Sequence, residues 1–192
     1  MESYKRYLIE ELEMTDADAD LFLSRFEIIE YKKGESLLKE GETCNRVVII
    51  LKGCARGFVS VDGKEITTNF FFENDHTYDY VNYLLQQKAQ MHIQALDSIK
   101  AIEMTMEALE FLNTKIIGFH RMSFNMFKMN YIRMENERKD FITKTPKERY
   151  LNLLKNNKQI ISYVPQHQIA SYIGISAEHL SRIRNGIRNS KF

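Results

Sequence analysis

The sequence predicts an α+β protein: an N-terminal β jelly roll with flanking helices, one long helix, and a C-terminal helix-turn-helix unit. Three observations carry this. Between Ile28 and Met106 the apolar pattern is one of short strands, punctuated by Gly34, Gly41, Gly53, Gly57 and Gly63, the pattern of a sandwich of many short strands. From Met106 to Thr143 there is no proline and a single glycine, Gly118, which predicts one continuous helix. Near the end, "QHQIASYIGISAEHLSRIRN" (166–185) sets Ile169, Ile173, Ile175, Leu180 and Ile183 at helical spacing around Gly174. The boundaries drawn from these are 1–105, 106–143 and 144–192.

Composition limits the possibilities. The 192 residues are 44% hydrophobic and 28% charged, enough for a sizeable core and unlike a disordered chain. No run of about 18 apolar residues exists to span a membrane, and the opening "MESYKRYLIEELEM" is too charged for a secretory signal. Cys44 and Cys54, the two cysteines, match neither a disulfide framework nor a zinc ligand set, so they read as reduced structural thiols. A cytoplasmic protein with no metal and no cofactor is expected. The net charge of +1 hides an asymmetry. Residues 1–143 carry 18 Lys and Arg against 24 Asp and Glu, whereas residues 144–192 carry 9 against 2. An acidic body with a basic terminal unit suits a polyanion at that unit alone.

The elements follow in order. Residues 2–26 are helical, with Tyr4, Leu8 and Leu12 on one stripe and Leu21, Phe22 and Phe26 on another; Thr15 or Asp16 serves as the intervening N-cap. Asp62-Gly63, between "GFVSV" and "KEITTNFFF", predicts a hairpin, because its turn needs positive φ. "MHIQAL" and "IKAIEM" form a further strand pair around Asp97-Ser98, and "TYDYVNYLLQQKAQ" is a loop with a short helix. In the long helix Leu109, Leu112, Ile116 and Phe119 recur at 3–4 spacing, and Met122, Met126 and Met129 continue the face. That face either packs across its own β domain or joins two copies. The second is favoured, with Ile116, Phe119, Met122, Met126 and Met129 as the dimer interface. Pro146 follows a capping Thr145 and opens the terminal unit, in which "QIISYVP" is a short extended piece.

Two helices cross at a tight angle when the contact residue is small and the turn accepts an unusual backbone; Ala170 and Gly174 supply these. Pro165 keeps Val164 out of the helix before it, and Ser176 caps the second helix with Glu178 in its first turn. Leu180, Ile183 and Ile187 then face inward. Ala177, Glu178, Ser181, Arg182 and Asn185 face outward, where Arg can donate to guanine and Glu can accept from cytosine. Gln166, His167, Ser176, Arg188 and Lys191 are candidates for DNA phosphate.

On "YKKGESLLKEGE", "VVIILKGCARGFVSVDGKE" and above all "IASYIGISAEHLSRI", the chain resembles the Crp/Fnr family of bacterial transcription regulators along nearly its whole length. The resemblance implies an effector-binding β-roll, a dimerising helix and a winged helix-turn-helix on double-stranded DNA. It matches Glu178 and Arg182 to the family's base-contacting pair, while Ala177 stands where many members carry another Arg. With the sequence running to Phe192, the terminal wing is expected to be short or missing. It also implies where a cyclic nucleotide would sit: a Gly-Glu pair, then an Arg-Ser that holds the phosphate. Here Asp79 and Tyr80 stand near the first, and Gln90, Met91 and His92 near the second. No arginine occurs between Arg56 and Arg121, and Lys88 lacks the planar fork. Tight cyclic nucleotide binding is not expected.

Two cysteines are too few for an iron–sulfur cluster, and only the isolated His76 or His92 could ligate haem. Aromatic residues crowd "NFFFENDHTYDYVNY", and Tyr78, Tyr80, Gln90 and His92 make a candidate pocket for an unknown small-molecule effector. The expected function is a homodimeric, sequence-specific DNA-binding transcription regulator that does not answer to cyclic nucleotide through the usual Arg. The alternative is a small-molecule sensor whose C-terminal unit contacts a protein. RNA polymerase is a further partner that the family reading admits, though no sequence signature marks its surface. An enzyme is not expected: no nucleophile–base pair, metal constellation or phosphate-cradling loop is present.

Overall fold

The computed structural model describes residues 2–10 and 13–189. It begins with α1 (Glu2–Glu10) and α2 (Asp16–Leu23). Of the two candidate caps, Thr15 takes the role: its hydroxyl accepts the Asp18 N–H at 3.1 Å. Leu8 of the expected stripe is fully buried; Leu12 lies outside the described residues.

Among the described residues eight strands follow: β1 (Glu27–Tyr31), β2 (Ser36–Leu38), β3 (Arg46–Lys52), β4 (Ala55–Val61), β5 (Lys64–Phe71), β6 (His76–Thr77), β7 (His92–Ala95) and β8 (Ile99–Thr105), with α3 (Tyr80–Leu84) between β6 and β7. They form two four-stranded antiparallel sheets, ordered β1-β8-β3-β6 and β2-β7-β4-β5. Leu38, Val48, Ile50, Ile93, Ile99 and Ala101 fill the space between them. The β4–β5 hairpin turns at Asp62 and Gly63, with φ of 51° and 74°, as a two-residue turn of that hand demands. The run Phe70-Phe71-Phe72 shows the strand alternation. Phe71 enters the inter-sheet core, while Phe70 and Phe72 point outward into a second cluster.

Two local expectations fail here. β7 and β8 do not pair with one another: β7 pairs with β2 and β4, and β8 with β1 and β3. The Asp97-Ser98 connection therefore crosses from sheet to sheet. An alternating apolar pattern suits facing strands and paired strands equally, and packing decides between them. Likewise, residues 106–143 form two helices, α4 (Met106–Lys115) and α5 (Phe119–Thr143). The break ends at Gly118, whose φ of 95° lies in the left-handed region that glycine tolerates.

That break turns α5 and changes which face it offers. Ile116 and Phe119 are only 3% and 2% exposed, buried with Leu8, Ala19 and Phe22 of the N-terminal helices. They are spent on the chain's own core and cannot line a seam with a second copy. Met126 is half-buried, Met129 is exposed, and the Met122 side chain lies outside the described residues. With Met129, the large apolar residues that α5 and its approach present to solvent are Ile117, Phe124, Tyr131, Ile132, Met134, Phe141 and Ile142. Of these, Ile117, Phe124 and Tyr131 are spaced by seven, the repeat of a coiled-coil seam.

The chain ends in α6 (Pro146–Asn156), α7 (Ile160–Tyr163), α8 (Gln166–Tyr172) and α9 (Ala177–Asn189). At α6 the Thr145 hydroxyl and the Glu148 carboxylate cap each other's backbone N–H groups. The piece expected to be extended is instead the single helical turn α7, whose Ile160 is completely buried. No helix among the described residues is long and apolar enough to cross a membrane.

Candidate functional site

The terminal helices form their core from Tyr150, Leu153, Ile160, Ile169 and Leu180, and the same cluster takes in Cys54, Phe70, Phe72 and Leu96 from the strands. Burying each such aliphatic side chain contributes about 1.5–3 kcal/mol. α8 lies on β5: the Thr67 N–H donates to the Ser171 hydroxyl at 3.0 Å, and the Phe70 and Tyr172 rings meet at 5.2 Å.

Between α8 and α9 the chain turns at Gly174, φ +73°. A Cβ there would come 2.8 Å from the Phe141 ring at the end of α5. Arg149 joins the same corner. Its guanidinium donates to the Ile173 carbonyl at 3.0 and 3.2 Å, to that of Phe141 at 3.0 Å and to that of Lys144 at 2.9 Å, and it lies 4.6 Å over the Phe141 ring. One cation thus collects carbonyls left open at two helix ends and sets how the α8–α9 pair leaves α5. Sequence reasoning missed Arg149. A lone arginine four residues into a helix carries no local signal of a partner 24 residues on.

α9 presents the expected outer face. Ala177, Glu178, Ser181, Arg182 and Asn185 are all exposed, while Leu180 is buried and Ile183 and Ile187 are half-buried. The Ser176 hydroxyl accepts the His179 N–H at 3.2 Å, capping the helix. The backbone N–H of Glu178 and then the Ser176 hydroxyl hold the Glu178 carboxyl below its ordinary range, so it is an acceptor at neutral pH. Of the candidates for phosphate, His167, Ser176 and Arg188 are exposed and Gln166 is half-buried, its side-chain oxygen buried without a partner among the described residues. Lys191 lies outside the described residues.

The four candidate pocket residues do not come together. Tyr78 and Tyr80 line one cavity. His92 instead stacks on Phe58, with ring centroids 4.9 Å apart, and reaches Glu40 at 3.4 Å. Gln90 is exposed. Its N–H donates to Asp79 at 3.1 Å, and the Asn82 amide donates to the same carboxylate oxygen at 2.8 Å. A buried carboxylate, 8% exposed, therefore sits where an anion-binding group would be needed, and Lys88 is turned to Thr43 at 2.7 Å. The residues at this position do not fit a cyclic phosphate.

Residues 28–113 match the cyclic nucleotide-binding domain family. No curated protein sequence matches the chain. Among solved structures it is similar in fold to FixK2 from Bradyrhizobium japonicum, with TM-score 0.73 and 17% identity over 86% of each chain. It is similar also to a CooA mutant from Carboxydothermus hydrogenoformans, with TM-score 0.68 and 18% identity over 95% of this chain and 84% of that one. A third is a structure from Eubacterium rectale described as a transcriptional regulator of the Crp/Fnr family, with TM-score 0.67 and 14% identity over 93% and 85%.

Proposed function

From a chain that carries a cyclic nucleotide-binding domain and has the fold of Crp/Fnr-like regulators, we propose that it is a homodimeric, sequence-specific DNA-binding transcription regulator. The strand order of its two sheets supports a jelly-roll sensory domain, and α8–turn–α9 serves as the helix-turn-helix. The observation that carries the reading is the outer face of α9: Glu178, Ser181, Arg182 and Asn185 are exposed together on a unit with nine cationic side chains against two carboxylates. α9 is the recognition helix, and Arg182 reads guanine. The terminal unit is read as 144–192, the helical linker as 106–143 and the sensory domain as 1–105. The stripe Ile117, Phe124 and Tyr131, with Met134 and Ile142, supports dimerisation through α5 and takes the place of the buried Ile116 and Phe119. Two α9 helices then enter successive major grooves, half-site centres about 34 Å apart.

Selection of random duplex DNA by the purified protein tests this. A two-fold symmetric site with that spacing is expected, bound with an affinity that falls steeply as salt rises. Arg182→Ala is expected to cost roughly 1–3 kcal/mol at one base pair per half-site. Unchanged base preference removes Arg182 from the reading set. If no DNA is retained even with cell extract added, the terminal unit has a protein partner instead. In that case binding need not weaken with salt.

A further inference from the structure

The inter-sheet space, where a roll of this kind could hold a ligand, is filled by side chains. Space remains on the other side of the β1-β8-β3-β6 sheet. A cavity of about 280 Å³ lies there, walled by Leu8, Phe22, Val47, Ile49, Met104 and Phe119 and by the inner face of α5 at Ser123, Met126 and Phe127. Its polar groups are Tyr4, Asn74, His76, Tyr78, Tyr80 and Ser123, and no Asp, Glu, Lys or Arg lines it among the described residues. A charged occupant would lose its hydration with nothing to replace it.

We propose that this cavity binds a small, uncharged ring compound carrying one hydrogen-bonding group. The volume lies below the roughly 300–1,000 Å³ of sites for drug-sized ligands, so one or two fused rings suit it. Its wall is aromatic in the right place: Tyr78 and Tyr80 meet edge to face at 5.2 Å, and Tyr80 leans on Phe127 of α5 at 4.3 Å. The polar end has partners to meet. Among the described residues no hydrogen bond reaches the His76 ring or the Tyr78 and Tyr80 hydroxyls. Burial holds the His76 imidazole at about 4, so it is neutral at pH 7 and able both to donate and to accept. Burial raises both tyrosines above their ordinary value, leaving their hydroxyls as donors.

The occupant would sit between the sheet and α5. Next to His76, Asp75 pairs with Arg133 of α5 at 3.3 Å, and the far end of α5 is the corner held by Arg149 and Phe141. A change in how α5 rests on the sheet is thus delivered to the α8–α9 pair. That DNA feels the occupant rests on the proposed function; the binding itself does not.

The test uses the full chain and 1-naphthylamine, an uncharged two-ring dye whose emission shifts to the blue on leaving water. One bound dye per chain is expected. Ser123→Phe and Ile49→Phe, which fill the cavity from opposite walls, should each weaken it by roughly tenfold or more. Thermal unfolding of both variants reports whether they still fold. His76→Leu keeps the dye but loses most of a roughly fivefold preference for 2-naphthol over naphthalene as competitor. The proposal is overturned if wild type does not bind the dye, or if both folded, filled variants bind it as well as wild type. It is overturned too if naphthalene competes as well as 2-naphthol, or if Phe124→Ser alone abolishes binding, which would place the dye on the exposed stripe. None of these readouts contains DNA, so they stand or fall apart from the proposed function.

Discussion

The two sheets of the roll face outward onto different surroundings. The outer face of the β2-β7-β4-β5 sheet is sealed: Phe70 joins the terminal helices in one cluster, Thr67 is pinned to Ser171, and Arg56, 3% exposed, is paired with Glu65. The outer face of the β1-β8-β3-β6 sheet is covered by α1, α2 and α5, yet Val47, Ile49 and Met104 border a cavity. Both faces meet helices, α8 on one side and the N-terminal helices with α5 on the other. The difference is that one roof seals its face, whereas the other leaves a void lined in part by polar side chains. A close-packed face transmits position; a voided face has room to accept something.

The largest expected effect tests the packed side. Phe70→Ala should cost roughly 3–5 kcal/mol in urea unfolding, because the roof cannot collapse onto the hole. Its counterpart Ile49→Ala, half-buried at the cavity edge, should cost about 1–2 kcal/mol. Equal losses would erase the contrast between the two faces.

A pH series sharpens the voided side. Burial lowers His76 in the folded protein, opposed by the neighbouring Asp75 carboxylate, so the unfolded chain takes up that proton first. Its stabilising contribution is whole above pH about 6.5, then declines toward pH about 4 by up to roughly 3 kcal/mol. His76→Leu should remove that part of the decline. A variant whose pH profile parallels wild type means that His76 is not shielded by the cavity wall.

Smaller effects probe how the packed side carries the α8–α9 pair. Gly174→Ala meets both a left-handed backbone and the Phe141 ring, with about 1–3 kcal/mol expected. In a Phe141→Ala background the steric part should vanish, leaving roughly 1 kcal/mol for the backbone; an additive pair would show that the corner is not a contact that matters. Ser176→Ala removes the cap of α9 and should cost about 1 kcal/mol. No change in thermal unfolding would mean that water caps the helix as well.

Legibility divided along the range of the interactions. The Thr15 and Thr145 caps, the Asp62-Gly63 turn, and the inward Leu180 and outward Arg182 of α9 follow from residues within four of one another, where spacing and backbone preference suffice. For α5 the same periodicity was misleading. Leu109 to Phe119 carried the pattern through Gly118 as if the helix were continuous, and a helical repeat cannot say that the chain turns there or which apolar stripe the N-terminal helices will take. The candidate pocket failed similarly: Tyr78 and Tyr80 are near His92 in sequence, but the strands carry them to different faces.

By itself, then, the sequence determined the elements, their caps and turns, the basic terminal unit and the outward face of α9, because these are set by local backbone geometry and by charge. Only the tertiary structure decided that β7 and β8 belong to different sheets, that Ile116 and Phe119 are core, that Arg149 ties α5 to the α8–α9 turn, and that the open space lies outside the roll. Those outcomes depend on which apolar surfaces, far apart along the chain, exclude water from each other best, and no local pattern records that competition.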